Sequence, residues 1–151
     1  MKIKKMGIIW ERTVGDISED IINKVEKKYG IQFPDDYREC VKNYNGGHPV
    51  PNIFSYDDGG EGVFDHLLSF TSEPNIVVVY EFISDFMPKG IFPFGTDPFG
   101  NQLCFDYRKS ENSPLVVFLN NEEFGEDSIT EVCNSFSELL ETLHEASDEF
   151  Y

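Results

Sequence analysis

The sequence predicts an α+β fold in a single domain over residues 1–151. Three observations carry that expectation. Two amphipathic helical patterns stand side by side in the first third of the chain, strand-like runs follow one another between Ile91 and Leu119, and a capped apolar pattern from Ser135 closes the chain. Helices and strands that cluster in runs, without strict alternation, mark the α+β class. No internal repeat, low-complexity tract or long Pro/Gly/Ser linker divides the chain, and its length suits one core.

The first helix is expected from residue 17 or 18 to 29, where Ile21, Ile22, Val25 and Tyr29 share a stripe and Gly30 ends it. Asp16-x-x-Glu19 has the spacing of a capping box, with Ser18 the alternative cap. Pro34 opens a second helix, because a missing N–H costs nothing in a first turn, and Asp35 and Asp36 complement its dipole. Tyr37, Cys40, Val41 and Tyr44 make its buried stripe, and Asn45-Gly46-Gly47 stops it. Residues 50–70 read as strands around the acidic loop SYDDGGEG. Ile76-Val77-Val78-Val79-Tyr80 has strand propensity, yet Ile76, Val79, Tyr80, Ile83 and Phe86 fit helical spacing, and the polar Glu81, Ser84 and Asp85 favour a helix over 75–87.

Residues 90–109, GIFPFGTDPFGNQLCFDYRK, set Gly95 and Gly100 around Thr96-Asp97-Pro98-Phe99 much as phosphate-gripping loops do. A phosphate cradle needs converging N–H groups and a helix N-terminus behind them. Pro98 removes one donor, Asp97 opposes an anion, and a strand-like run follows, so the stretch reads as a hairpin connection. Strands are expected at 91–94, 101–107 and 114–119, with Leu103, Phe105 and Tyr107 on one face and Gln102, Cys104 and Asp106 on the other. A second acidic loop, NNEEFGED, leads to a short strand at 129–132. Ser135-Phe136-Ser137-Glu138 is a capping box that opens a last helix burying Phe136, Leu139, Leu140 and Leu143, and the tail beyond Ala146 is expected to fray.

Charge is the loudest compositional signal: 12 Lys and Arg against 28 Asp and Glu, a formal −16. Residues 1–50 hold nine basic and eight acidic side chains, whereas residues 51–151 hold three and twenty. Such a surface repels nucleic acid and anionic membrane and attracts cationic partners, beyond the solubility that any acidic surface confers. The apolar run Ile8-Ile9-Trp10 ends at Glu11-Arg12, short of a signal peptide, and no run approaches membrane-spanning length. Cys40, Cys104 and Cys133 are odd in number and widely spaced, which argues for reduced thiols and a cytoplasmic location.

Motifs for catalysis and metal binding are missing. His48, His66 and His144 stand alone, with no HExxH or CxxC pattern, so no metal or other cofactor is expected. No G-x-S-x-G elbow occurs, and carboxylates are so abundant that any pair spacing arises by chance. Asp57, Asp58 and Glu61 lack the fixed positions of a calcium loop. The chain is therefore expected not to be an enzyme. Two loops concentrate acid without apolar periodicity: Asp57, Asp58 and Glu61, extending to Asp65, and Glu122, Glu123, Glu126 and Asp127. Either alone reads as a solvated turn. Together they point to contact with a basic partner, with Tyr56 and Phe124 as anchors inside a charged rim.

The order of parts resembles one family. ISEDIINKVEKKYGIQFPDDYRECVKNYNGG, with Phe33-Pro34-Asp35-Asp36-Tyr37 and Asn45-Gly46, is similar to the opening of the SUKH (Smi/Knr-like) superfamily; IFPFGTDPFGNQLCFD resembles its central hairpin, with Asn101 where Asp is usual, and SFSELLETL its closing helix. The likeness runs over about residues 17–145. It implies the SUKH fold, a single mainly antiparallel sheet with helices packed against it, used as a binding scaffold. Bacterial members are largely immunity proteins, or antitoxins, that bind the toxic C-terminal domain of a polymorphic toxin, often a nuclease, and the likeness here points to a toxin with an LXG secretion domain. Nuclease domains hold phosphates on basic surfaces, for which an acidic inhibitor competes. A monomer, or a heterodimer with that toxin, is implied. The alternative, a regulatory protein-binding scaffold without a toxin partner, explains the fold but not the acidity.

Overall fold

Helices α1 (Glu19–Tyr29) and α2 (Asp35–Tyr44) form where the periodicity places them. The computed structural model describes residues 7–146, and the tail beyond Ala146 lies outside them. Gly30 ends α1 at φ 68°, a left-handed conformation that favours glycine. Ser18, not Asp16, is the N-cap of α1, and its side chain makes no capping bond. Pro34 caps α2, whose Tyr37 and Val41 are buried. Tyr44, expected on the buried stripe, is exposed and stacks on Trp10 instead, with ring centroids 5.5 Å apart.

The expected single sheet is corrected to three antiparallel ones. Strand β1 (Ile9–Glu11) pairs with β2 (His48–Val50), and β3 (Ile53–Ser55) with β4 (Glu61–Val63). The main sheet has five strands in sequential order: β5 (His66–Leu67), β6 (Ile91–Thr96), β7 (Gln102–Asp106), β8 (Leu115–Leu119) and β9 (Ile129–Cys133). Pro49 and Pro51 and repeated turns keep the strands between α2 and β5 to three residues each, too short to extend the main sheet. Helix α3 (Ile76–Ser84) follows β5, and α4 (Phe136–Thr142) follows β9. Gly95, expected at the hairpin turn, lies inside β6, where a Cβ would stand 3.0 Å from the Phe64 ring.

Pleat alternation splits the sheet as the pattern of residues 102–107 requires. Phe92, Phe94, Leu103, Phe105, Val116 and Phe118 join the large core under α1, α2 and α4. Ile91, Cys104, Val117 and Leu119 join a smaller cluster with Ile83 and Met87 on the other face. Tyr37 stands at the middle of the large core, its ring centroid 5.0 Å from Phe33, 5.2 Å from Phe105, 5.4 Å from Phe136 and 5.9 Å from Phe94.

Polar side chains join the elements around this core. Glu26 on α1 accepts the Phe33 N–H at 2.8 Å and pairs with Arg38 on α2 at 2.8 Å. Asp36 accepts both the backbone N–H and the hydroxyl of Ser137, at 2.9 and 2.7 Å, supplying an acceptor at the start of α4. Fully buried Asn45 accepts the Phe70 N–H at 2.8 Å and donates to Thr71, which ties the end of α2 to the segment before α3. The next residue, Gly46, has φ 74°, and a Cβ there would meet Val14 at 2.3 Å. Asn45-Gly46 is thus a junction as well as a helix stop.

Burial pushes the Tyr37 hydroxyl's pKa well above the ordinary tyrosine value, and that hydroxyl has no hydrogen-bond partner among the described residues. An unpaired buried hydroxyl costs about 1–3 kcal/mol. Tyr37→Phe is therefore expected to leave unfolding free energy unchanged or raise it by about 1 kcal/mol in urea titrations. A loss of that size would show that the hydroxyl is bonded in solution.

Candidate functional site

The turn between β6 and β7 is built by its own aspartate. Asp97-Pro98-Phe99-Gly100 has Asp first, Pro second and Gly fourth, the residue order of a type I turn, and Gly100 sits at φ 87°. The buried Asp97 carboxylate accepts the N–H groups of Phe99 and Asn101, both at 2.8 Å, and the Asn101 side-chain amide at 3.0 Å. The N–H groups that a phosphate would need are consumed by this carboxylate. The glycine-flanked stretch is a turn, as its proline and aspartate imply.

Register brings a second loop to the same end of the sheet, since Gln102 at the start of β7 faces Leu119 at the end of β8. Asn101 Oδ1 accepts the Asn121 N–H at 2.8 Å, and the Asn121 side chain donates to the Gly100 carbonyl. Asn101 therefore serves both loops: its NH₂ group satisfies Asp97 and its oxygen holds the β8–β9 connection. An aspartate there, as the family resemblance has it, lacks that donor and sets a second carboxylate against Asp97.

Two phenylalanines project from the joined loops. Phe99 is 82% exposed and Phe124 76%, and Glu122, Glu123 and Asp127 around them are exposed and form no ion pair among the described residues. Glu126, in the 3-10 turn Gly125–Ser128, pairs instead with Arg108, which Asp106 also holds at 2.9 Å. The sequence singled out Phe124 for its acidic setting, and the structure leaves its ring exposed. Phe99 was missed, although an aromatic at the third position of a Pro-containing turn has no side of the sheet to bury itself in.

The other acidic loop stands against β9, where the Asp57 N–H donates to the Glu131 carbonyl at 3.0 Å. Asp57 and Asp58 are exposed and free of ion pairs among the described residues, and Asp58 accepts the Gly60 N–H. Tyr56, expected as an anchor, is half-buried between Phe54 and Phe118, at 5.4 and 5.5 Å, so its ring serves packing. Glu61 bonds the His144 ring at 2.9 Å, and Asp65 bonds the His66 ring at 2.7 Å. The structure thus brings Phe124, Glu122, Glu123 and Asp127 together with Phe99, and spends Tyr56, Glu61, Asp65 and Glu126 on internal contacts.

A cleft of about 540 Å³ lies elsewhere, between β1 and α4, and is lined mainly by apolar groups including Trp10, Tyr44 and Leu140. Burial pushes the Cys40 and Cys133 thiols up to about 12 and Cys104 well above its ordinary value, so all three are protonated at neutral pH. Among the described residues no group of three His, Cys, Asp or Glu side chains converges as metal ligands, and no helix is long and apolar enough to cross a membrane.

A family model described as SMI1 / KNR4 family (SUKH-1) matches residues 16–142. The chain belongs to the SMI1/KNR4 family. No curated protein matches it. The SMI1/KNR4 match covers α1 through α4, and the Phe33-to-Tyr37 and Asn45-Gly46 motifs within it are the junctions described above. The exposed phenylalanines and free carboxylates lie on loops of that scaffold, where recognition residues commonly sit.

Two outcomes follow from this geometry. Asn101→Asp is expected to destabilise the fold by about 1–3 kcal/mol, and to raise hydrogen exchange at Phe99 and Asn121 before other amides, because a half-buried donor is lost and a second carboxylate faces Asp97. Unchanged exchange at Asn121 would show that the loops are not coupled through Asn101. The Thr142 carbonyl and then Glu61 raise the pKa of His144. A histidine whose folded pKa is raised stabilises below its unfolded pKa, and that contribution disappears as pH rises through the folded value. The stability difference between the wild type and His144→Gln should therefore shrink from pH 5.5 to pH 8.5; a difference that is constant with pH would remove the pairing from solution.

Proposed function

We propose that this chain is an immunity protein that binds and neutralises the basic toxic C-terminal domain, a nuclease, of a cognate LXG-type polymorphic toxin. The family is known for immunity proteins. The observation that carries the reading is the acidic end of the main sheet, where Phe99 and Phe124 stand exposed on mutually bonded loops beside Glu122, Glu123 and Asp127. Exposed aromatics on a braced backbone lose little freedom when a partner covers them, which is the property of interface anchors. The carboxylates around them attract a phosphate-binding surface over distances longer than contact and raise association rates by about 10–10³-fold. The LXG type of partner is proposed on a likeness to the Bacillus immunity protein YobK that we read from the sequence motifs alone.

Neutralisation in this reading is occupancy without turnover. An acidic end seated on the nuclease's basic surface displaces the nucleic-acid phosphates that surface would hold. The protonated thiols and the Asp97 carboxylate committed to its turn suit a binding role.

The partner to test is the basic C-terminal domain of the toxin encoded in the adjacent reading frame. Paired Glu122→Lys and Glu123→Lys substitutions should slow association about tenfold at low salt and flatten its salt dependence, with the melting temperature nearly unchanged. Glu111→Lys, which carries half of that charge change, lies at the opposite end of the sheet and should have little effect. Stopped-flow rates equal to the wild type for the paired variant would remove this end from the interface, and absence of any binding would refute the immunity reading.

A further inference from the structure

Helix α3 is apolar on both its sides. Inward, Ile76 and Ile83 are buried and Tyr80 stacks on Phe92 at 4.6 Å, so the core already receives what it needs from this helix. Outward, Val78 is 47% exposed and Phe82 67%, and half-buried Phe86, in the turn just past the helix end, has its ring 5.7 Å from that of Phe82. Positions at i and i+4 share one face. A helix with a filled inner face normally carries polar residues on such a stripe.

Three observations indicate what covers it. Exposed Glu81 and Asp85 edge the stripe along one side, and no Lys or Arg occurs between Lys42 and Lys89. Its C-terminal end joins the acidic end of the sheet: Phe86 packs on the small cluster with Met87 and Ile129, and Met87 accepts a hydrogen bond from Ser128, the last residue of the turn that follows Phe124. A second copy of the chain fits poorly, because a pair of α3 helices would oppose acidic flanks on two chains that each carry −16.

We propose that the outer face of α3 extends the toxin-binding surface and takes an amphipathic helix of the partner, its apolar residues flanked by Lys or Arg. An apolar stripe edged by carboxylates is the complement of an apolar stripe edged by cations, and helix-on-helix docking reads such stripes through anchors one turn apart. The proposal rests on the immunity reading for the identity of the partner. It adds a second anchor set to the Phe99 and Phe124 loops and orients the bound domain along α3.

Calorimetric titration of the full chain with the toxin's C-terminal domain tests it. Phe82→Ser, at an exposed position, should keep the melting temperature and weaken binding tenfold or more, with Val78→Ser acting in the same direction. Unchanged affinity in both, alongside weaker binding by Phe124→Ala, overturns the α3 surface and leaves the immunity reading standing. Absence of binding by the wild type refutes that reading and this proposal with it. Sedimentation supplies the other arm: self-association of the wild type that Phe82→Ser abolishes assigns the stripe to a second copy and overturns the assignment to a basic helix.

Discussion

The ring of Tyr37 touches every layer of the main core. Around it stand Phe33 from the α1–α2 junction, Phe94 and Phe105 from adjacent strands and Phe136 from α4, all between 5.0 and 5.9 Å. Most of these pairs are edge-to-face, the geometry that the aromatic quadrupole favours. The neighbouring residues hold the ring there: the Phe33 N–H is bonded by Glu26, Pro34 starts the helix, and Asp36 reaches across to Ser137 at the start of α4. The Phe33-to-Tyr37 motif is therefore a fastening of three helices over one sheet. Its side chains are used up in packing and fastening.

A sheet buried on both faces has only its ends and its covering elements to offer a partner. At one end the Asp97–Asn101–Asn121 network joins two connections that would otherwise move independently. That bracing costs polar groups: Asp97 is committed to the turn, Asn101 to both loops, and Glu126 to Arg108. The residues left uncommitted are Phe99, Phe124 and the carboxylates beside them. The division between bracing and free side chains is what makes the loops credible as a recognition surface, since a charge already paired within its own chain gives little to a partner.

Long periodic segments were legible in the sequence, and short or shared ones were not. The four α-helices and strands β6 to β9 announced themselves because burial of a continuous stripe or alternating face dictates residue type over many positions. Strand β1 spans three residues, and its partner β2 contains Pro49, so neither shows a pattern that a window can detect. Division into three sheets depends on which strands reach each other across the fold, information absent from local periodicity. Tyr44 and Trp10 satisfied one another at the surface, whereas spacing alone assigned Tyr44 to the core. At the candidate site, charge revealed the loops but could not say which acids had found internal partners. Glu61 and Glu126 were indistinguishable by sequence from Glu122, Glu123 and Asp127, because His144 and Arg108 reach them only in the folded chain.

Acidity on this scale carries a cost in the free protein. Like charges over the surface repel and weaken the compact state, and the effect is greatest where carboxylates lack cations. Arg38 and Lys42 on α2 hold Glu19 and Glu26 on α1, joining the two helices where the core is assembled. Repulsion is thereby concentrated in loops whose conformation is set by backbone and amide hydrogen bonds, so it strains little of the fold. A cationic partner that settles on those loops relieves the repulsion as it gains its own contacts, and binding and stability become linked. Scaffold and surface are in this way separable. The Tyr37 core and the Asn45 and Asn101 junctions maintain the shape, while the exposed side chains of the loops and of α3 can change without disturbing it.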